Sequence, residues 1–175
     1  MTTAGRELKE EEDSGGNSNF FLNAFLNTYP LSCESFVLAS DELRYIPSSL
    51  SRFAIIVNHD PSYRPGSHFS TIIKNERGIW YLDPLTLSRL DYSHIPQFLQ
   101  RFKHLPYFEL ERAVQSESSS LCGLFALYFC YAHDERTQTL PFEPFHPTDL
   151  IENNCIVVRN LAKVLLHYDE QKNVA

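Results

Sequence analysis

Between Leu121 and Ala132 the chain reads LCGLFALYFCYA, a segment with no charged side chain and only two hydroxyls and two thiols as polar groups. A helix built from it has no polar face, so it is stable only where other elements surround it. The run falls well short of the roughly 20 apolar residues that a membrane-spanning helix needs. It therefore reads as the buried axis of a globular domain, and the rest of the chain must supply its shell. With 175 residues, 43% apolar and 13% aromatic, there is material for one such core.

The shell is visible as β-like runs and short helices. RFAIIVN at 52–58, HFSTIIK at 68–74 and IWYLD at 79–83 are rich in branched and aromatic residues, as strands are. Only Asn75-Glu76-Arg77-Gly78 separates the last two, which predicts a hairpin. With Lys74 opposite Ile79, the ladder carries His68 to a place opposite Leu85 and makes Asp83 its diagonal neighbour on the same face. FFLNAFLNTYP at 20–30 and SHIPQFLQRFK at 93–103 predict short helices, and YFELERAV at 107–114 predicts a further strand. After the proline-rich LPFEPFHP, a last helix is expected from about Thr148 to His167, capped by Thr148, Asp149 or both. The expected fold is α+β: a mainly antiparallel sheet packed on the central helix that starts at Cys122, with helices at both ends and a cleft between helix and sheet.

Residues 1–18, MTTAGRELKEEEDSGGNS, lack aromatic and β-branched aliphatic side chains and read as a disordered acidic tail, leaving 19–175 as the domain. The amino terminus shows no hydrophobic stretch of the signal-peptide kind. A soluble, intracellular protein is expected, with Cys33, Cys122, Cys130 and Cys155 kept as thiols. They form no C-x-x-C pair, so neither a zinc ribbon nor a thioredoxin-type site is indicated. The net charge of −7 argues against broad attachment to nucleic acid, although a local pair, Arg101 with Lys103, remains.

Chemistry concentrates around Cys122. A thiol attacks carbonyl carbon as its thiolate, and the amino end of a helix favours that form through its N–H groups and macrodipole. The same N–H groups, with a side-chain amide such as Gln115, suit an oxyanion, a contribution often worth about 3 kcal/mol per donor. An imidazole with pKa near ~6.5 suits the base, and His68 is the histidine that has a partnered orienter, Asp83. Blander readings stand beside these. A cysteine in a buried helix is usually a small hydrophobe, and His59, His94, His104, His133, His146 and His167 are also available. Cys130 and His133 share a helical face, but with Cys155 they make a poor zinc set, and no metal is expected.

At these residues the chain resembles the adenovirus endopeptidase (adenain) family, within the wider group that includes the ubiquitin-like-protein processing proteases. The resemblance runs from about Phe20 to His133. It rests on VQSESSSLCGLF at 114–125, with a Gln, a six-residue gap and the Cys-Gly-Leu-Phe that opens the central helix, and on GSHFSTIIKNERGIWYLDPL at 66–85. It implies His68 as base, Asp83 as orienter, Gln115 as oxyanion donor and Cys122 as nucleophile. Phe69 stands where the family usually has Trp, and Asp83 where adenain has Glu. Family members are stimulated by viral DNA and by a peptide disulfide-linked to a cysteine upstream of the glutamine. Here no cysteine lies between Cys33 and Cys122, so such a peptide has no thiol to join at that position.

The resemblance implies a thiol endopeptidase acting on viral or mobile-element structural precursors, placed in a host nucleus or virion, with a peptide or DNA as the family's activators; the sequence by itself calls for no cofactor, and a monomer is expected. Two rivals remain. One is an isopeptidase acting on ubiquitin-like conjugates, though those enzymes usually have a shorter Gln-to-Cys gap and an Asp where Leu121 stands. The other is a non-catalytic scaffold with the same fold.

Overall fold

The computed structural model describes residues 19–87 and 94–174, so the acidic tail expected at 1–18 lies outside the described residues, as does Ser93 at the start of the expected 93–103 helix. In chain order the elements are α1 (Asn19–Thr28), β1 (Glu34–Ala39), a 3₁₀ segment (Ser40–Tyr45), β2 (Phe53–Asn58), β3 (Phe69–Asn75), β4 (Gly78–Leu82), α2 (His94–Gln100), β5 (Tyr107–Glu109), α3 (Cys122–Ala132) and α4 (Glu152–Val174).

The strands form one sheet in the order β1-β2-β3-β4-β5. Its centre, β2 to β4, is antiparallel, and a parallel strand joins at each edge, so the α+β fold is built on a mixed sheet. The expected hairpin is present with Lys74 opposite Ile79 and Asn75 opposite Gly78. Gly78 takes φ +146°, and a Cβ there would strike the Pro106 carbonyl, so no other residue closes this turn without strain. The ladder ends at the Thr71–Leu82 pair, and the chain then turns, with Thr86 N–H donating to the Asp83 carbonyl at 3.0 Å. Leu85 therefore has no place opposite His68, whereas Asp83 does become its neighbour.

Alternation along the central strands feeds two cores. Ala54, Ile56, Phe69, Ile73, Trp80 and Leu82 pack with residues of α1, α3 and α4. Phe53, Ile55, Val57, Ile72, Ile79 and Tyr81 pack on the other face with Leu43 of the 3₁₀ segment and with Ile95, Phe98 and Leu99 of α2. Covering on both faces explains why β2 reads as one continuous apolar run. The Leu121–Ala132 run is helical and buried along nearly its whole length, as its lack of a polar face demands. Thr71 Oγ1 donates to the Ala126 carbonyl at 3.0 Å, pinning α3 across the middle of the sheet.

Two elements depart from expectation. β1 (ESFVLA) has no distinct local signature, and β5 pairs only over Tyr107–Glu109 instead of 107–114. The chain leaves the sheet after Glu109 because the N–H groups of Val114 and Gln115 both donate to the Pro84 carbonyl, at 2.9 and 3.0 Å. The last helix is capped by Asp149, whose Oδ1 accepts the Glu152 N–H at 2.9 Å, and it continues to Val174. No helix among the described residues is long and apolar enough to cross a membrane.

Candidate active site

His68 stands one residue before β3 and Asp83 one residue after β4, both at the open end of the hairpin and both buried. Gly66 sets the approach, because a Cβ there would collide with the Asn58 side chain. His68 Nε2 donates to Asp83 Oδ1 at 2.7 Å. The carboxylate is itself held: Oδ1 accepts the Leu85 N–H at 2.9 Å and Oδ2 the Leu87 N–H at 3.1 Å. A carboxylate fixed by two backbone donors cannot swing, so it fixes the orientation of the imidazole.

Cys122 opens α3 with 3% of its surface exposed, and it is hydrogen-bonded to His68. With Nε2 committed to Asp83, Nδ1 is the ring nitrogen left for the sulfur. Burial pulls the His68 pKa down, but the hydrogen bonds to Asp83 and Cys122 and their charges outweigh it and lift it to about 9. The imidazolium is thus the preferred form near neutral pH, as an imidazolium–thiolate pair requires. No side chain caps α3 at Leu121, and the first intrahelical bonds run from the Leu124 and Phe125 N–H groups to the Leu121 carbonyl, at 2.9 and 3.1 Å.

Gln115 is 1% exposed and is tied to the Asp83 turn through the Pro84 carbonyl. Its Nε2 donates to the Ser119 carbonyl at 2.7 Å, which leaves that amide a second hydrogen, while its Oε1 has no hydrogen-bond partner among the described residues. The structure thus brings His68, Asp83 and Cys122 into one hydrogen-bonded series and places Gln115 on the adjoining loop. No hydrogen bond joins Gln115 to the three in that arrangement.

One residue of the site was not singled out from the sequence. His59 lies at the end of β2, and its ring meets that of His68 at 4.6 Å and 81°. The signal was available, because the β2–β3 ladder pairs Asn58 with Phe69 and its next step sets His59 against His68. His59, His68 and Asp83 offer donor atoms within 4.8 Å of one another, the grouping among the described residues that comes nearest to a metal site. The contact seen within this group is the 2.7 Å hydrogen bond between His68 Nε2 and Asp83 Oδ1. Cys130, His133 and Cys155 do not assemble into a further group of this kind among the described residues.

No protein-family model and no curated protein matches the chain. Among solved structures it is similar to the crystal structure of the ASFV pS273R protease, with a TM-score of 0.39 and 17% sequence identity, over 70% of this chain and 59% of that one. The chain spans less than two thirds of that protein's length, and a likeness of this size supports no functional conclusion by itself.

Proposed function

We propose that this chain is a cysteine-type endopeptidase with Cys122 as nucleophile, His68 as acid and base, Asp83 as orienter and Gln115 as oxyanion donor. The observation that carries the reading is the Asp83–His68–Cys122 series of hydrogen bonds at the start of a buried helix. The Cys122 thiolate attacks the scissile carbonyl carbon, and the negative charge on its oxygen is met by N–H groups of the first turn of α3 and by the Gln115 amide. His68 Nδ1–H gives its proton to the leaving amine as the C–N bond breaks, leaving a thioester. Water then attacks the thioester carbonyl as His68 takes its proton, the C–S bond breaks, and the acyl group leaves as a carboxylic acid while the Cys122 thiolate and the His68 imidazolium are restored. The substrates would be virus or mobile-element structural precursors, cut after a small residue such as Gly. A modifier-directed probe that labelled Cys122 would move the substrate to ubiquitin-like conjugates.

Limiting iodoacetamide at neutral pH, read by mass spectrometry, tests the pairing. Cys122 is expected to label ahead of Cys33, Cys130 and Cys155, and His68→Ala is expected to slow it by about tenfold or more, since the imidazolium no longer stabilises the thiolate. Burial pushes the Cys33 thiol up to about 11 and raises Cys130 further, so neither competes. Uniform slow labelling of all four thiols would remove the pairing and leave the scaffold alternative.

Gln115 separates function from stability. Its orphaned Oε1 carries a desolvation penalty of about 1–3 kcal/mol, which Gln115→Leu removes along with the bond to Ser119. The melting temperature of Gln115→Leu is expected to stay level or rise while kcat/KM falls about 100-fold, the loss typical of one oxyanion donor. Unchanged kcat/KM would take Gln115 out of the reaction.

A further inference from the structure

Hydrolysis by Cys122 and His68 leaves one buried histidine of the site unused. His59 is 1% exposed, and its backbone N–H donates to the His68 carbonyl at 2.9 Å, extending the β2–β3 ladder beyond Asn58 and Phe69. Its Nε2 is hydrogen-bonded to Ser70 Oγ at 2.9 Å and lies 3.3 Å from the Tyr81 hydroxyl. Tyr81 belongs to the core on the α2 side of the sheet, and strand alternation puts Ser70 there too, since its neighbour Thr71 reaches α3. His59 is therefore anchored from behind the sheet and presses on His68 from the side away from the Cys122 helix.

His68 needs such a support. Its backbone is paired to His59 at the last step of the ladder, but a small rotation of the ring would break the bond to Asp83 or the one to Cys122. A perpendicular ring at 4.6 Å blocks that rotation and accommodates a charged neighbour. Two imidazolium ions could not share this space, and burial first, then the charge on His68, pull the His59 pKa down to about 3, so it stays neutral while His68 is charged.

We propose that His59 is a positioning residue whose ring, locked by Ser70 and Tyr81, holds the His68 imidazole in the orientation that bridges Asp83 and Cys122. The inference rests on the endopeptidase reading of the same site. A histidine that merely fills the core would be replaced without loss by any apolar side chain of similar size, whereas a positioning ring would be replaced only by another ring.

The test compares wild type, His59→Leu and His59→Phe by the rate of Cys122 carbamidomethylation between pH 5 and 9 and by NMR titration of His68, with melting curves to establish folding. His59→Leu is expected to label about tenfold more slowly at pH 7 and to lower the His68 midpoint, while His59→Phe stays within about threefold of wild type. A folded His59→Leu with wild-type rate and midpoint overturns the proposal, as does a Phe variant no better than Leu. Where His59→Leu does not fold, Ser70→Ala with Tyr81→Phe keeps the ring but unlocks it. About threefold slower labelling is then expected, and an unchanged rate overturns the proposal. Absence of selective Cys122 labelling in the wild type would overturn the endopeptidase reading itself, a result distinct from either.

Discussion

Cys122→Ala is expected to lower peptide hydrolysis by about 10⁴-fold or more, because it deletes the atom that forms the acyl intermediate and leaves only oxyanion and binding effects behind. The side chain lost is small, and the site is buried at 3% exposure beside Leu121 and Gly123, so the helix and the core around it should persist. A melting temperature within a few degrees of wild type should accompany the loss of activity. The assay is digestion of a diverse peptide library with mass-spectrometric readout, which identifies cleavage sites without assuming a substrate. Cleavage after small residues by the wild type and none by Cys122→Ala is the expected pair of results. A preference for bulky residues before the cut would remove the expected cleavage after small residues but keep the nucleophile. Equal cleavage by both proteins would remove Cys122 from the chemistry, and no cleavage by either would favour the scaffold.

The parts of the site that were legible in the sequence are those whose geometry is local. The four-residue connection at 75–78 fixes a two-strand register, and that register carries Asp83 to within 2.7 Å of His68 with no reference to the rest of the fold. The Leu121–Ala132 run could be read as buried because an all-apolar helix has no other stable setting. Parallel pairings were hidden. β1 and β5 join the sheet beside β2 and β4 through connections that loop away and return, so nothing adjacent in sequence declares their partners. The end of α4 was missed for a different reason. Apolar periodicity stops near His167, but neither Gly nor Pro follows, so the helix runs on through a polar segment. His59 was overlooked because a histidine at a strand end is unremarkable until the antiparallel partner is known, and then its pairing with His68 follows by counting. The placement of Gln115 depends on Pro84 accepting two backbone bonds, a contact spanning some 30 residues that no local pattern encodes.

In Cys122→Ala, where no thiolate offsets the proton on His68, stability is expected to peak between pH 6 and 7 and to fall on both sides for two different histidines. His68 has a folded pKa of about 9, above the ~6.5 of an unfolded histidine, so the folded state holds its proton more tightly. The hydrogen bond and charge of Asp83 still raise it when Cys122 is replaced, so that contribution is present in full below about pH 6.5 and is lost as pH rises through the folded value, at ~1.4 kcal/mol per unit. His59 has the opposite sign. Its folded pKa of about 3 means that the unfolded state takes the proton first, so stability falls from about pH 6.5 towards 3, by roughly 5 kcal/mol at the limit. His133, whose pKa is also lowered chiefly by burial, acts in the same direction. The raised thiols of Cys33 and Cys130 and the raised hydroxyl of Tyr131 weaken the fold at higher pH, but only once unfolded cysteines begin to ionise near pH ~8.5. In Cys122→Ala the interval from pH 6.5 to 8.5 isolates His68, whereas in the wild type a thiolate on Cys122 cancels the proton that His68 gains, so the wild-type midpoint stays nearly level there. Urea midpoints across the interval should decline in Cys122→Ala and stay level in the His68→Ala/Cys122→Ala double variant, whereas below pH 6 both proteins should weaken together. A Cys122→Ala midpoint that is flat from 6.5 to 8.5 would mean that His68 gains no proton affinity from Asp83 on folding. The Asp83–His68 bond on which the catalytic reading depends would then be absent in solution.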